Sequence, residues 1–306
     1  MPTTRTSSRP LRVLVSYFGA KARLGPEIAR QLGPHRARFE PFCGGLSVTF
    51  ACEPASNEVI NDLNGAVVNL AAVVASEKWR DLRERLERTL CCEGLLLNSA
   101  AWLGVNKPEL PRGKRAGSVD PAAVTKEHVE WAYHFAVASW LSRENGLIGA
   151  RTPRSPARSF TTNAPQKRLP RLTGTLEWMH ERLKHVAIWN TDALSIIERV
   201  QDRETTAIYC DPPYLRATRP SSYIIDVPTD PAAELKWHAT LARALRRFKK
   251  ARVVVSYYDH PTIRGLYKGW SVVSIHTRRI AGNVDLGKSA ASDAPEVLLI
   301  NGRPVE

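Results

Sequence analysis

The chain alternates short apolar runs with longer stretches whose apolar residues recur at helical spacing. Ala207-Ile-Tyr-Cys210, Arg252-Val-Val-Val-Ser256 and Glu296-Val-Leu-Leu-Ile300 are runs of strand type, bounded by polar or turn residues. A helical stretch, 232–248, lies between the first two, the alternation expected of an α/β sheet. Upstream, residues 76–90 place Trp79, Leu82, Leu86 and Leu90 on one helical face, and 127–142 do the same with Val129, Tyr133, Val137, Trp140 and Leu141. Both predict core helices whose aromatics pack inward. Residues 37–50 predict a strand, a glycine turn and a helix beginning near Ser47, and Val59-Ile60 predicts a second short strand.

Length and composition narrow the classes. The 306 residues, 43% of them apolar, suffice for a sizeable core in one large domain or two unequal ones. No apolar run approaches the ~20 residues of a membrane span, and no apolar signal region follows the N-terminus, so a soluble intracellular protein is expected. Five cysteines without a CxxC pair indicate neither a disulfide framework nor a zinc ribbon. His180 and His185 lack an HExxH context and Ser256 lacks the glycines of a nucleophile elbow, so no metal site and no hydrolase chemistry are expected.

Forty-four Lys and Arg against 30 Asp and Glu give a formal charge of +14, the footprint of a protein that meets phosphate backbones. Part of that charge is concentrated at 151–171, which holds six basic residues, no acidic ones and four prolines. The prolines predict a loop or arm, and Arg151, Arg154, Arg158, Lys167 and Arg168 are its candidate phosphate contacts.

Two segments carry candidate chemistry. Gly44 and Gly45, after the strand ending near Glu40, allow a sharp turn and a close approach of backbone to ligand. Twenty-two positions after Glu40, Asp62 stands where a nucleotide-binding α/β unit places a carboxylate for ribose hydroxyls. The second segment is Asp211-Pro212-Pro213-Tyr214, closing the strand at 207–210. Ligands of open α/β sheets sit at the carboxyl ends of strands, and the proline pair makes a stiff turn with free carbonyls.

In their order, these segments resemble the Dam-like, DPPY-type family of DNA adenine-N6 methyltransferases. Ser16-Tyr-Phe-Gly-Ala-Lys21, the helix 24–32, Glu40-Pro-Phe-Cys-Gly-Gly45, Asn61-Asp62, Trp189-Asn-Thr-Asp192, Asp211-Pro-Pro-Tyr214, Val255-Ser-Tyr-Tyr-Asp259 and 296–301 all match in sequence. Ala20 and Leu46 depart from the pattern by standing where glycine is common. The stretch 76–180 matches weakly, with Ser142-Arg-Glu-Asn-Gly146 an echo of the recognition region.

The resemblance implies a Rossmann-like S-adenosylmethionine-dependent methyltransferase fold with an inserted, mainly helical target-recognition domain. The catalytic domain would comprise 11–75, which binds the donor, and 181–306, which carries the DPPY motif, with the insertion at 76–180. Tyr17, Lys21, Glu40, Pro41, Phe42, Cys43, Gly44, Gly45, Asp62 and Asp192 would line the S-adenosylmethionine site. Lys21 would approach the donor carboxylate and Asp192 the donor adenine. Asp211 and the Pro212 carbonyl would grip the hydrogens of an adenine amine whose lone pair is otherwise delocalised into the ring, and Tyr214 would stack on a base turned out of duplex DNA. An RNA adenine or cytosine-N4 acceptor, and a catalytically silent DNA-binding regulator, are the alternatives. The resemblance also implies a monomer in a bacterial or phage-infected cytoplasm and allows a cognate restriction endonuclease as partner.

Overall fold

Strands buried on both faces read as near-continuous apolar runs, and two strands of this chain fit that pattern but for their first residues, Thr206 and Glu296. In the computed structural model, which describes residues 13–16, 21–142, 168–218, 228, 230–275 and 295–305, β5 (Thr206–Cys210) and β8 (Glu296–Ile300) are buried along their whole lengths. With β1 (Ala37–Glu40), β2 (Asn57–Asn61), β3 (Ser118–Val119), β4 (Ala187–Trp189), β6 (Arg252–Tyr258) and β7 (Ser271–Ile275) they form one sheet in the order β3-β4-β2-β1-β5-β6-β8-β7. The five strands from β4 to β6 are parallel, while β3, β8 and β7 run antiparallel to their neighbours.

Side chains on the two faces alternate with the period of a strand. Ala207 and Tyr209 of β5 and Val254 of β6 pack with Ile28 and Leu32 of α1 (Gly25–Leu32). Ile208, Cys210, Val253 and Val255 pack on the other face, with Leu241 and Leu245 of α9 (Pro231–Arg246), Ile197 of α8 (Ala193–Arg199) and Ile263 of α10 (Pro261–Leu266). At the β4 end of the sheet, α2 (Gly65–Ala75) is apolar nearly all round, because α5 (Lys126–Leu141) and α7 (Leu176–Leu183) both pack on it. A further layer of α3 (Trp79–Glu87), α4 (Glu93–Val105) and α6 (Arg168–Thr173) covers α5.

Three expectations from the sequence change here. The helix expected near Ser47 is a single hydrogen-bonded turn, Phe50 to Leu46, Ala51 to Ser47 and Cys52 to Val48, because Pro54 turns the preceding residue away from helical backbone. The stripe of α3 ends at Leu86: the helix stops at Glu87 and Leu90 is 77% exposed. The basic stretch is not wholly a loop, since Arg168–Thr173 form α6. Pro170 is tolerated there because backbone N–H groups of a first helical turn have no intrahelical acceptor.

Beneath the sheet edge lies a buried charge cluster. Arg38 of β1 stands directly opposite Glu58 of β2 and pairs with both Glu58 and Glu40. Arg182 of α7 completes it with a two-pronged contact to Glu58, at 2.5 and 2.7 Å, and donates to the Thr49 carbonyl at 3.2 Å. Thr49 Oγ1 donates to Glu40 at 2.9 Å. Two guanidinium groups thus balance two carboxylates and join β1, β2, α7 and the 46–52 turn. Because burial of an unpaired charge is costly, Arg38→Met is expected to lower stability by about 3–5 kcal/mol, leaving Glu40 and Glu58 to share one cation. Guanidinium unfolding should show this as a lower midpoint at unchanged slope.

Candidate active site

From β1 the strand order runs to β2 and β4 on one side and to β5 and β6 on the other, so the sheet has its topological switch point between β1 and β5. A crevice outside the carboxyl ends of the strands at such a point is where open α/β sheets bind ligands. The segments singled out from the sequence lie there: residues 41–45 after β1, Asp62 after β2, Asp192 after β4 and residues 211–214 after β5.

The turn after β1 reverses tightly. Leu46 N–H returns to the Cys43 carbonyl at 2.9 Å, and both Gly44 and Leu46 take positive φ, 46° and 62°. Glycine adopts such backbone without strain, whereas leucine does so at a cost of about 1–2 kcal/mol. Leu46 therefore holds a backbone conformation in which glycine would be free of strain.

Asp62 holds this turn from the neighbouring strand. Its Oδ2 accepts from Gly44 N–H at 2.8 Å and its Oδ1 from Asn64 N–H at 2.9 Å. A carboxylate offers about four lone-pair directions, so acceptor capacity remains for ligand hydroxyls. Burial raises the Asp62 carboxyl above its usual range, and the two N–H groups offset this only in part. Asn61 ties two loops together: its amide donates to the carbonyls of Pro41 and Thr191 at 2.9 and 3.0 Å and accepts from Thr191 N–H at 3.0 Å. Asp192 precedes α8 without capping it by its side chain and is exposed. Glu40 differs from its neighbours in the turn, because its carboxylate faces inward to Arg38 and Thr49 and is 1% exposed.

After β5, four side chains close a ring. Lys21 Nζ lies 3.2 Å from Asp211 Oδ1 and 2.9 Å from Glu296 Oε1. The Tyr214 hydroxyl reaches the same two oxygens, at 3.0 and 2.8 Å. Lys21 also sits 5.0 Å from the centre of the Tyr214 ring, which packs edge-on against Tyr258. Among the described residues, nothing donates to Asp211 Oδ2 or to the Pro212 carbonyl. Burial, with Glu296 adding to it, pushes the Asp211 carboxyl up to about 6 despite Lys21 and Tyr214.

A family model described as D12 class N6 adenine-specific DNA methyltransferase matches residues 17–280. The chain belongs to that family. It is a site-specific DNA adenine-N6 methyltransferase, an S-adenosylmethionine-dependent enzyme, and the mostly parallel sheet is the Rossmann-like methyltransferase fold. No curated protein matches the chain.

Of the remaining site residues, Pro41, Cys43 and Gly45 are buried in the turn, Phe42 is half-buried with its ring 6.2 Å from that of Trp237, and Pro213 is buried beside Pro212. Tyr17, Arg151, Arg154, Arg158 and Lys167 lie outside the described residues, as do 143–146 of the Ser142-to-Gly146 echo. Arg168 is half-buried at the start of α6, its guanidinium 3.4 Å from the carbonyls of Trp140 and Ser142. No group of His, Cys, Asp and Glu among the described residues could hold a metal ion, and no described helix is long and apolar enough to cross a membrane.

Sequence reasoning missed two participants. Asn61 was visible only as the neighbour of Asp62, and Glu296 only as the head of a closing strand. The available signal for Glu296 was a lone acid opening an otherwise apolar run.

An acceptor carboxylate must be ionised to grip an amine hydrogen. Methyl transfer to DNA, followed as kcat/KM for the DNA, should therefore fall as the pH drops through about 6, the value of Asp211, and not near the 3.8 of a free aspartate. A profile flat down to pH 4.5 would exclude Asp211 as the group that sets this limb.

Proposed function

We propose that S-adenosylmethionine binds in the crevice outside β1 and β2 and that a flipped-out adenine of duplex DNA enters beside it, against Asp211. The single observation that carries this reading is Asp211 itself. One of its oxygens is held by Lys21 and Tyr214, while among the described residues no donor reaches its other oxygen or the neighbouring Pro212 carbonyl.

The donor site fits its ligand chemically. Asp62 retains acceptor capacity for the ribose hydroxyls while fixing Gly44. The Pro41-to-Gly45 turn, with Gly44 at positive φ, lets backbone approach without a Cβ in the way. Asp192 is exposed and can accept from the donor adenine. In this reading Tyr17, Lys21, Pro41, Phe42, Cys43, Gly44, Gly45, Asp62 and Asp192 face the donor, and Glu40 supports their turn from below. S-adenosylmethionine, when bound, supplies an electrophilic methyl group on its sulfonium.

Asp211 Oδ2 and the Pro212 carbonyl accept the two N6 hydrogens and draw the amine toward a tetrahedral geometry, which frees its lone pair. Asp211, raised to about 6, is suited to take the proton that N6 must lose and to pass it to solvent. Tyr214, with its hydroxyl in the ring of contacts, stacks on the flipped-out base in this reading. Residues 11–75 and 181–306 form the catalytic part in this reading. The segment 76–180 reads the target, with Arg151, Arg154, Arg158, Lys167 and Arg168 near phosphates.

The test is transfer of radiolabelled methyl to mixed-sequence duplex DNA with nucleoside analysis of the product. N6-methyladenine is expected with the intact protein and none with Asp211→Ala, whose affinity for S-adenosylhomocysteine should stay within a few-fold. Label in RNA alone would replace DNA as the acceptor. Asp62→Ala, in contrast, should weaken S-adenosylhomocysteine binding by calorimetry about 10- to 100-fold, the cost of losing charge-assisted hydrogen bonds. Unchanged affinity would remove Asp62 from the donor site.

A further inference from the structure

Glu296 heads β8, an antiparallel strand far along the chain from every motif of the donor site, yet its carboxylate reaches the centre of the catalytic cluster. It is 8% exposed, and its Oε1 lies 2.9 Å from Lys21 Nζ and 2.8 Å from the Tyr214 hydroxyl, whose single proton it shares with Asp211 Oδ1, the oxygen that Lys21 also holds. The two carboxylates thus stand on opposite sides of one ammonium and one hydroxyl. Asp211 cannot rotate its held oxygen away without disturbing donors that Glu296 also grips.

Resting on the reading of Asp211 given above, we infer that Glu296 is a positioning residue for methyl transfer: it fixes Lys21 and Tyr214 so that Asp211 keeps one oxygen anchored and the other aimed at the adenine amine, and its charge tunes when Asp211 ionises. Glu296 does not touch the reacting atoms in this arrangement. Its effect passes through the two shared donors and through the field it adds to the cluster.

The groups facing Asp211 make that field specific. Tyr209 and Cys210 come from its own strand, Tyr214 from its own turn, Tyr257 from β6, Lys21 from the segment before α1 and Glu296 from β8. Burial pushes the three tyrosines and the thiol well up, so all four stay neutral near pH 6. Among the described residues, Lys21 and Glu296 are then the charged groups bearing on Asp211, and they act in opposite directions. One cation set between two carboxylates leaves an excess of negative charge, and Glu296 is the source of that excess.

Two variants separate geometry from charge. Glu296→Gln keeps an acceptor for Lys21 and Tyr214 but removes the charge, whereas Glu296→Ala removes both. At saturating S-adenosylmethionine, Glu296→Ala should lose on the order of 10- to 100-fold in kcat, the scale on which a slightly misplaced reacting group costs rate. Glu296→Gln should retain more of it. In both, the acidic limb of the rate profile should move to lower pH by about one unit, as expected when a like charge a few ångström away is lost. The same shift should appear in the titration of the Asp211 carboxyl followed by carbon-13 NMR in the protein without DNA. That readout does not depend on which nucleic acid is methylated. Parental kcat in Glu296→Ala, or an unmoved Asp211 titration in Glu296→Gln, overturns the inference. Failure of the parent enzyme to methylate DNA, with the titration shifted as expected, would strike the functional reading and leave the positioning role of Glu296 standing.

Discussion

Three neighbouring parallel strands, β2, β1 and β5, end at one edge of the sheet, and the site depends on the loops beyond them keeping one fixed relation. Short loops after strands are ordinarily the mobile parts of an α/β protein. Here they are tied across the strands. Asn61 joins the Pro41 carbonyl of one loop to both backbone groups of Thr191 in another, and Asp62 holds Gly44. Asn190 continues the tie by donating to the Asp62 carbonyl at 2.8 Å. The glycine turn therefore cannot shift without moving the Asp62 and Asp192 loops with it, which is the preorganisation a donor site requires.

Two buried charge clusters flank this edge and are built differently. The Arg38, Glu40, Glu58 and Arg182 cluster is balanced, two cations to two carboxylates, and fastens strands to α7. The Lys21, Asp211 and Glu296 cluster has one cation to two carboxylates. A structural cluster gains by neutrality, since every uncompensated buried charge costs stability. A catalytic cluster gains from the imbalance when the reaction brings positive charge to it, because a preorganised negative site stabilises that charge without reorganising. A sulfonium methyl donor and an amine that becomes cationic as it is methylated are positive in that sense. The raised carboxyl of Asp211 comes first from burial, which Lys21 opposes and Glu296 reinforces.

What the sequence made legible follows from distance along the chain. The apolar strands, the helices and the two segments of candidate chemistry were readable because each is a local pattern, five residues in β5 and sixteen in α5 and α9. Strands β3 and β4, two and three residues long, carry too little pattern to be seen, and they belong to the sheet only through partners. The inward orientation of Glu40 was latent in the strand period, which puts it on the same face as Arg38 two positions earlier, but its partners Thr49 and, through Arg38, Glu58 depend on the fold. Glu296 shows the limit most plainly. It meets Asp211 because β8 inserts beside β6 in an antiparallel sense, and no local feature announces that order.

Leu46 shows how a departure from a family pattern can be absorbed. Its backbone takes φ 62°, at about 1–2 kcal/mol, yet its side chain is 0% exposed in the core that also holds Val67, Leu70 and Leu14. A glycine there would relieve the backbone and empty that volume, and emptying a buried leucine site costs about 2–5 kcal/mol. The cavity would cost more than the backbone strain it relieves, so the strained conformation persists because the surrounding core determines it. The nearby Gly44 takes its positive φ without such strain, and its N–H donates to Asp62. Of the two left-handed positions in this turn, one thus carries a leucine that fills the core and the other a glycine whose N–H meets Asp62.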